Sequence, residues 1–325
     1  MKRREFITLL GGAAAAWPLA ARAQQSKMPV IGVLGSGSAQ FRDALVHGLS
    51  ESGYVDGQNV RIEYRWLEGA YERLPAMMEQ LANLQIAVLA PLGTAAVRVT
   101  KAALANGSLA VPVVFSYGGD PVADGLVASL NRPGGNVTGS TSITGSLASK
   151  RLELLRAFTH ENDAIAILIN PNTGEAERAD AEAAARAVGQ RLDVLTARNE
   201  SEIVTAFAML QQRRIAALMI HSDTFYLGQM RWMAALAARQ ALLPTIGPLR
   251  EFAAAGGLMA YAPNIADVVR HQGVYIGKVL KGVRPADLPV MQPTKFEMTI
   301  NLAAAKALGL EVPQSILLRA DEVIE

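Results

Sequence analysis

The residues that could do chemistry are few and far apart. Four histidines, His47, His160, His221 and His271, occur without an H-x-x-x-H pair, and the chain has no cysteine. Neither an imidazole metal site nor a thiolate nucleophile is therefore spelled out, and each histidine is expected at the surface or in a capping role. No G-x-S-x-G elbow, S-x-x-K pair or G-x-x-x-x-G-K-[ST] phosphate loop is present, which removes the usual signatures of hydrolases and nucleotide triphosphatases. Gly35-Ser36-Gly37, with Glu63 further on, begins like a dinucleotide fingerprint, but Gln40 stands where the third glycine is needed. The expectation is a protein that is not an enzyme and takes no cofactor and no metal. What remains is a series of small polar and aromatic residues just after apolar runs: Gly35, Ser36 and Gly37; Gly93 and Thr94; Ser116, Tyr117 and Asp120; Asn170 and Asn172; Ser222, Asp223 and Tyr226; Tyr261 and Asn264. Hydroxyls, amides, two acids and aromatic rings suit reversible binding better than bond making. Asp120 (before Pro121), Asp223 and Asn264 each also stand where a helix N-cap would, and Thr94 could cap its own helix.

Those residues fall into one pattern because short β-branched runs alternate with longer amphipathic segments. Strands are expected over 30–34, 59–66, 86–90 and 111–115, with helices over 39–52, over 71–83 and after Thr94. A second alternation has helices over 146–159, 175–188 and 200–212 and strands over 164–169, 192–196 and 215–220. The turn-forming run Asn131 to Asn136 separates the two. Two α/β modules with parallel, helix-covered sheets follow, and ligands of such sheets sit outside the carboxyl ends of the strands. The stretch from Leu258 through a helix at 267–281 to Pro293 has no clean place in the second module and is free to return to the first.

The chain has 325 residues, half of them apolar and 18% charged, enough for two domains with sizeable cores. Its formal charge is +2, but residues 1–23 hold four of the 31 basic residues and one of the 29 acidic ones. The remainder is near neutral, so no nucleic-acid partner is expected. Residues 1–23 have the three parts of an export signal: Lys2, Arg3 and Arg4, an apolar stretch from Phe6 to Ala20, and Ala21-Arg22-Ala23 before Gln24. The stretch of about 15 residues contains Gly11, Gly12 and Pro18 and is short of the roughly 20 that span a bilayer. Arg3-Arg4-Glu5-Phe6 matches the twin-arginine form, with the ordinary secretory route as the alternative. A periplasmic protein, not inserted in the membrane once the signal is cleaved, is expected.

Several long phrases carry a family resemblance across essentially all of the chain after the signal. They are "LSESGYVDGQNVRIEYRWLEGAYERLP" at 49–75, "GDPVADGLVASLNRPGGNVTG" at 119–139, "SKRLELL" at 149–155, "REFAAAGGLMAYAPN" at 250–264 and "LPVMQPTKFEMTINLAAAKALGL" at 288–310. In these the chain resembles the ABC-transporter substrate-binding proteins of the tryptophan/tyrosine-binding type. The resemblance implies the type I periplasmic-binding-protein fold: two Rossmann-like lobes with parallel sheets, joined by a three-crossing hinge near 136–142, 262 and 289–293. One lobe would comprise 28–139 plus about 263–288, the other 140–262 plus about 289–325. It implies a monomer that closes on a small polar metabolite, expected to be an amino acid, and delivers it to an inner-membrane ABC permease and its ATPase. A ligand-sensing subunit that serves a membrane sensor kinase is the alternative within the same fold. By analogy with amino-acid binders, Gly93-Thr94 and Ser116-Tyr117 would hold the ligand carboxylate, and Asp223, or failing it Asp120, its ammonium. Gly35, Ser36, Asn170, Ser222 and Tyr261 complete the expected site, with Tyr117 taking up room in the pocket.

Overall fold

The computed structural model describes residues 28–35, 39–67, 69–142 and 147–325. The expected export signal, Ser36 and Gly37 lie outside the described residues. Among the described residues no helix is long and apolar enough to cross a membrane.

The first sheet is built from β1 (Val30–Gly35), β2 (Arg61–Trp66), β3 (Val88–Leu92), β4 (Val113–Tyr117) and β5 (Val137–Thr141), in the order β2-β1-β3-β4-β5. Every pairing in it is parallel. Strands β3, β4 and β5 are buried along their length, and β1 from Ile31 on, as expected of a sheet covered on both faces. Helices α1 (Ala39–Glu51), α2 (Leu74–Ala82) and α3 (Thr94–Ala105) follow the first three strands. β3 and β4 run two residues beyond their expected ends. Neither Pro91 nor the polar pair Ser116 and Tyr117 cuts its strand short. Pro91 sits inside β3 with its carbonyl accepting from Gln272 Nε2 at 3.1 Å, while Ser116 and Tyr117 pair with Ser140 and Thr141 of β5.

The second sheet has seven strands in the order β12-β11-β10-β9-β8-β6-β7. It comprises β6 (Ala164–Ile169), β7 (Leu192–Thr196), β8 (Ile215–Ile220), β9 (Thr245–Gly247), β10 (Met259–Pro263), β11 (Phe296–Asn301) and β12 (Glu322–Ile324). Helix α4 (Ala148–Arg156) precedes β6, α5 (Glu175–Ala187) and α6 (Glu200–Gln212) link β6 to β7 and β7 to β8, and the short α7 (Thr224–Gly228) follows β8. β11 runs antiparallel to β10 while the other pairings are parallel. The departure from an all-parallel sheet has a topological cause. β10 leads the chain out toward the first sheet and β11 brings it back, so the two must run in opposite directions.

Between β10 and β11 lies α8 (Ile265–Leu280), which packs on the first sheet and against α1. The two helices meet at glycines. A Cβ on Gly48 would stand 1.9 Å from the Arg270 carbonyl oxygen, and one on Gly273 would stand 2.3 Å from that of Leu45. Gln272 anchors the helix by donating to the carbonyls of Pro91 and Val114. The chain then pairs along β5: Met291 N–H donates to Gly139 and its carbonyl accepts from Thr141. It enters the second sheet at β11.

Candidate functional site

The carboxyl ends of the two sheets face each other, and the loops that follow them line a cavity of about 40 Å³. From the first lobe come Leu92, Gly93, Thr94, Ser116, Tyr117 and Gly118; from the second, Ser222, Asp223, Thr224 and Leu227. Phe41, Ile265 and Val269 add apolar wall.

On the first-lobe side, Gly93 has φ +89°, and it turns the chain from β3 directly into α3. It has no room for a side chain, since a Cβ there would lie 2.4 Å from Thr224 Cγ2 of the other lobe. The N-terminus of α3 thus comes up against the opposite wall, and its N-cap, a glycine, offers no side chain to cap the first N–H groups. Thr94 opens this helix and does not cap it. Gly93 N–H donates to the Ser116 carbonyl at 2.9 Å, which ties the two strand ends together. Tyr117 is held by its hydroxyl, which donates to Asp124, and by an edge contact with Phe115. Burial, reinforced by Asp124, raises its phenol well above the ordinary value.

The second-lobe side is more heavily braced. Asp223 is 1% exposed and caps α7, accepting from the N–H groups of Phe225 (3.0 Å) and Tyr226 (3.3 Å). Thr173 Oγ1 donates to it at 2.7 Å and Asn170 Nδ2 at 3.1 Å. Across the cleft, the Tyr71 hydroxyl lies 3.0 Å from each of its carboxylate oxygens and also accepts from Asn170 Nδ2 at 2.8 Å. Next door, the Ser222 hydroxyl accepts from Arg151 Nη2 at 3.1 Å, and Ser222 N–H donates to Glu177 Oε2 at 3.2 Å. Arg151 and Glu177 form a fully buried ion pair at 2.8 Å, and Arg151 Nε also donates to the Tyr261 carbonyl. Burial lowers the guanidinium's pKa, and the Glu177 charge opposes that shift. One arginine on α4 therefore fixes α5, the end of β8 and β10 at once.

Of the residues expected at the site, Gly93, Thr94, Ser116, Tyr117, Ser222 and Asp223 line the cavity. Asn170 lies just behind it, fully buried, and Tyr261 is also set back, stacked on Phe296 with centroids 6.1 Å apart. Gly35 ends β1 with its carbonyl accepting from Leu67 N–H, and it is not among the lining residues. Asp120 is exposed and caps the following turn through the N–H groups of Val122 and Ala123. Asn264 caps α8, and the Tyr226 hydroxyl is spent on the Ala197 carbonyl. His221 departs from the expected surface or capping role. It is buried, with Nε2 3.6 Å from Glu177 and Nδ1 facing the Asn170 N–H, inside the network under Ser222.

The sequence reading missed Tyr71, Arg151 and Glu177. Arg151 had a usable signal. It shares a helical face with Ala148, Leu152 and Leu155, all buried, and an arginine at a core position needs a buried partner. Tyr71 gave none, as it opens a 3₁₀ turn like any first residue of a helix.

Two lobes of parallel α/β structure, with the strand ends converging on a shared cleft and the chain passing between them three times, define the type I periplasmic-binding-protein fold. Residues 19–324 match the family model described as ABC transporter substrate binding protein, and the chain belongs to that family. It is 24% identical to the tyrosine-binding protein of Clostridioides difficile over 276 residues, which is 83% of this chain and 76% of that protein. Among solved structures it resembles the ABC domain from Streptococcus pneumoniae in complex with L-Trp, at 26% identity and TM-score 0.77, over 91% of this chain and 99% of that one. It also resembles a ligand-free, open substrate-binding protein with adhesive properties from Clostridium difficile, at 21% identity and TM-score 0.57, again over 91% and 99%.

Proposed function

We propose that this protein is the periplasmic substrate-binding component of an ABC importer, and that it captures an amino acid by closing two lobes around it. Its lobes are 28–139 with about 263–288, and 140–262 with about 289–325. The carrying observation is the cleft itself, where the strand-end loops of both sheets converge on one small cavity that combines apolar walls with hydroxyl, backbone and carboxylate groups. The relatives named for tyrosine and L-Trp support an aromatic amino acid as the ligand class. The ligand carboxylate would be received by N–H groups and hydroxyls at Gly93-Thr94 and Ser116-Tyr117, since α3 starts there at the cavity wall with a glycine N-cap. Ser222 and Asp223 form the facing wall. The lobes stand closed here, and about 40 Å³ is far below the roughly 300 Å³ or more of small-molecule pockets. Entry of an amino acid therefore requires them to part. The closer superposition with the L-Trp complex than with the open, ligand-free relative accords with this closed form. The protein acts as a monomer in this reading, reaches the periplasm by the twin-arginine route, and passes its cargo to a permease driven by an ATPase without altering it.

Native mass spectrometry of protein purified from the periplasm, followed by calorimetry with the twenty amino acids, tests the reading. A retained amino acid, bound again one to one after removal, is the expected result. Absence of binding to any of them would overturn the ligand class.

A further inference from the structure

We propose that Tyr71 is an interlobe latch: its hydroxyl, bound to both carboxylate oxygens of Asp223, holds the lobes closed before any ligand arrives. Where its effect on ligand affinity is concerned, the proposal rests on the reading that the ligand binds in this cleft.

Asp223 is a fixed acceptor in its own lobe. Phe225 N–H, Tyr226 N–H, Thr173 Oγ1 and Asn170 Nδ2 all belong to the second lobe and all donate to it. The neighbouring Ser222 is clamped by the buried Arg151–Glu177 pair. Tyr71 is the donor to Asp223 that comes from the other lobe, set on the turn just after β2. Its hydroxyl sits evenly between the two oxygens, at 3.0 Å from each. Burial and the Asp223 charge push its pKa far above the usual phenol value, so it remains a donor at any working pH. With these five donors in place Asp223 is 1% exposed. An ammonium could reach its carboxylate only by displacing the tyrosine.

Asn170 Nδ2 of the second lobe also donates to the Tyr71 hydroxyl, at 2.8 Å, whereas two other polar contacts across the cleft among the described residues are of a different kind. Arg98 donates to the Asn172 carbonyl at 3.1 Å and Gln40 to Glu251 at 2.9 Å, both exposed, where water competes for the same groups. A hydrogen bond to a charged, water-excluded carboxylate is stronger. A latch of this kind changes affinity without touching the ligand. Binding reads the population of the closed state, and a protein that closes less often binds in proportion more weakly.

The test is Tyr71→Phe, which deletes the hydroxyl and keeps the ring. Small-angle scattering of the whole mature protein without ligand should show a larger radius of gyration than wild type. Asp223→Asn, which keeps one oxygen for the cap, is the second variant and should expand the protein in the same direction; it serves alone if the first does not fold. Tyr64→Phe is the control, since the Tyr64 hydroxyl is buried without a partner among the described residues, and its radius should match wild type. With L-tyrosine or L-tryptophan, whichever wild type binds, Tyr71→Phe should weaken binding about tenfold to a hundredfold, the worth of one charged hydrogen bond. An unchanged ligand-free radius in both variants overturns the latch. Tighter binding by Tyr71→Phe overturns it too, because the hydroxyl would then be competing with the ligand for Asp223. The scattering needs no ligand, so it stands even if neither amino acid binds and the functional reading fails.

Discussion

The loops after β4 and β8 carry the same device and use it differently. Each places an aspartate a few residues beyond a buried strand, and each aspartate accepts from two backbone N–H groups just downstream. Asp120 does so in solvent, on an exposed turn. Asp223 does so 1% exposed, and gathers three side-chain donors besides. The difference comes from what lies beneath. Under Ser222 and Asp223 a buried ion pair and His221 hold the loop against the sheet, whereas the best-anchored group of the β4 loop, Tyr117, holds itself with Asp124 of its own loop. A capping acid becomes part of a cleft when the residues around it bring enough donors to hold it buried.

The sharpest way to break that contrast is to remove the support. Arg151→Ala leaves the buried Glu177 without its arginine, with Ser222 N–H and His221 as its remaining neighbours, and should cost about 3 to 5 kcal/mol in urea unfolding. Replacing both members by apolar residues, Arg151→Met with Glu177→Leu, should recover much of the loss. A single variant that unfolds like wild type would show that the pair braces nothing. Next, Asp223→Ala should destabilise by about 2 kcal/mol or more through lost caps and stranded donors, against about 0.5 kcal/mol for Asp120→Ala at the surface. Equal losses would erase the distinction between the two loops.

Gly93 and Gly107 offer a finer comparison. Both have positive φ, but a Cβ on Gly107 meets nothing within 4 Å while one on Gly93 strikes Thr224. Alanine at either should lose about 1 kcal/mol to backbone strain, and only Gly93→Ala should also enlarge the ligand-free radius of gyration. The smallest effect belongs to the exposed counterpart of Arg151–Glu177. The hydrogen bonds from Arg250 lower the Glu322 pKa below its ordinary value. The stabilisation is present above the usual carboxylate range and is lost as pH falls through the depressed value. Glu322→Gln should cost about 0.5 kcal/mol or less at pH 7, with no difference from wild type near pH 2 in thermal melts.

Much of the architecture could be read from periodicity because fully buried strands such as Ile165–Leu168 and Leu218–Ile220 are continuous apolar runs. The strands from β9 onward escaped for the opposite reason. β9 and β12 have three residues each, β10 ends in a proline and β11 alternates Glu297 and Thr299 with apolar residues. The site was half readable. Strand-end position marks Gly93, Thr94, Ser116 and Ser222, because the fold fixes where strands end. It cannot mark Tyr71, whose part depends on which residue of the other lobe arrives opposite it. Nor does sequence separate Asp223 from Asp120, since burial is a property of the assembled lobe.

The return of residues 265–280 to the first lobe also bears on how the molecule comes to be made. The helix that covers α1 is separated from it by more than two hundred positions in the chain, and the second sheet waits for β11 and β12, which come after it. Neither lobe can finish its core until α8, β11 and β12 have been made. A high proportion of such distant pairings slows folding, because loop closure must be met before the contacts can reward it. The same late returns that give the hinge its strands make the two lobes complete themselves together.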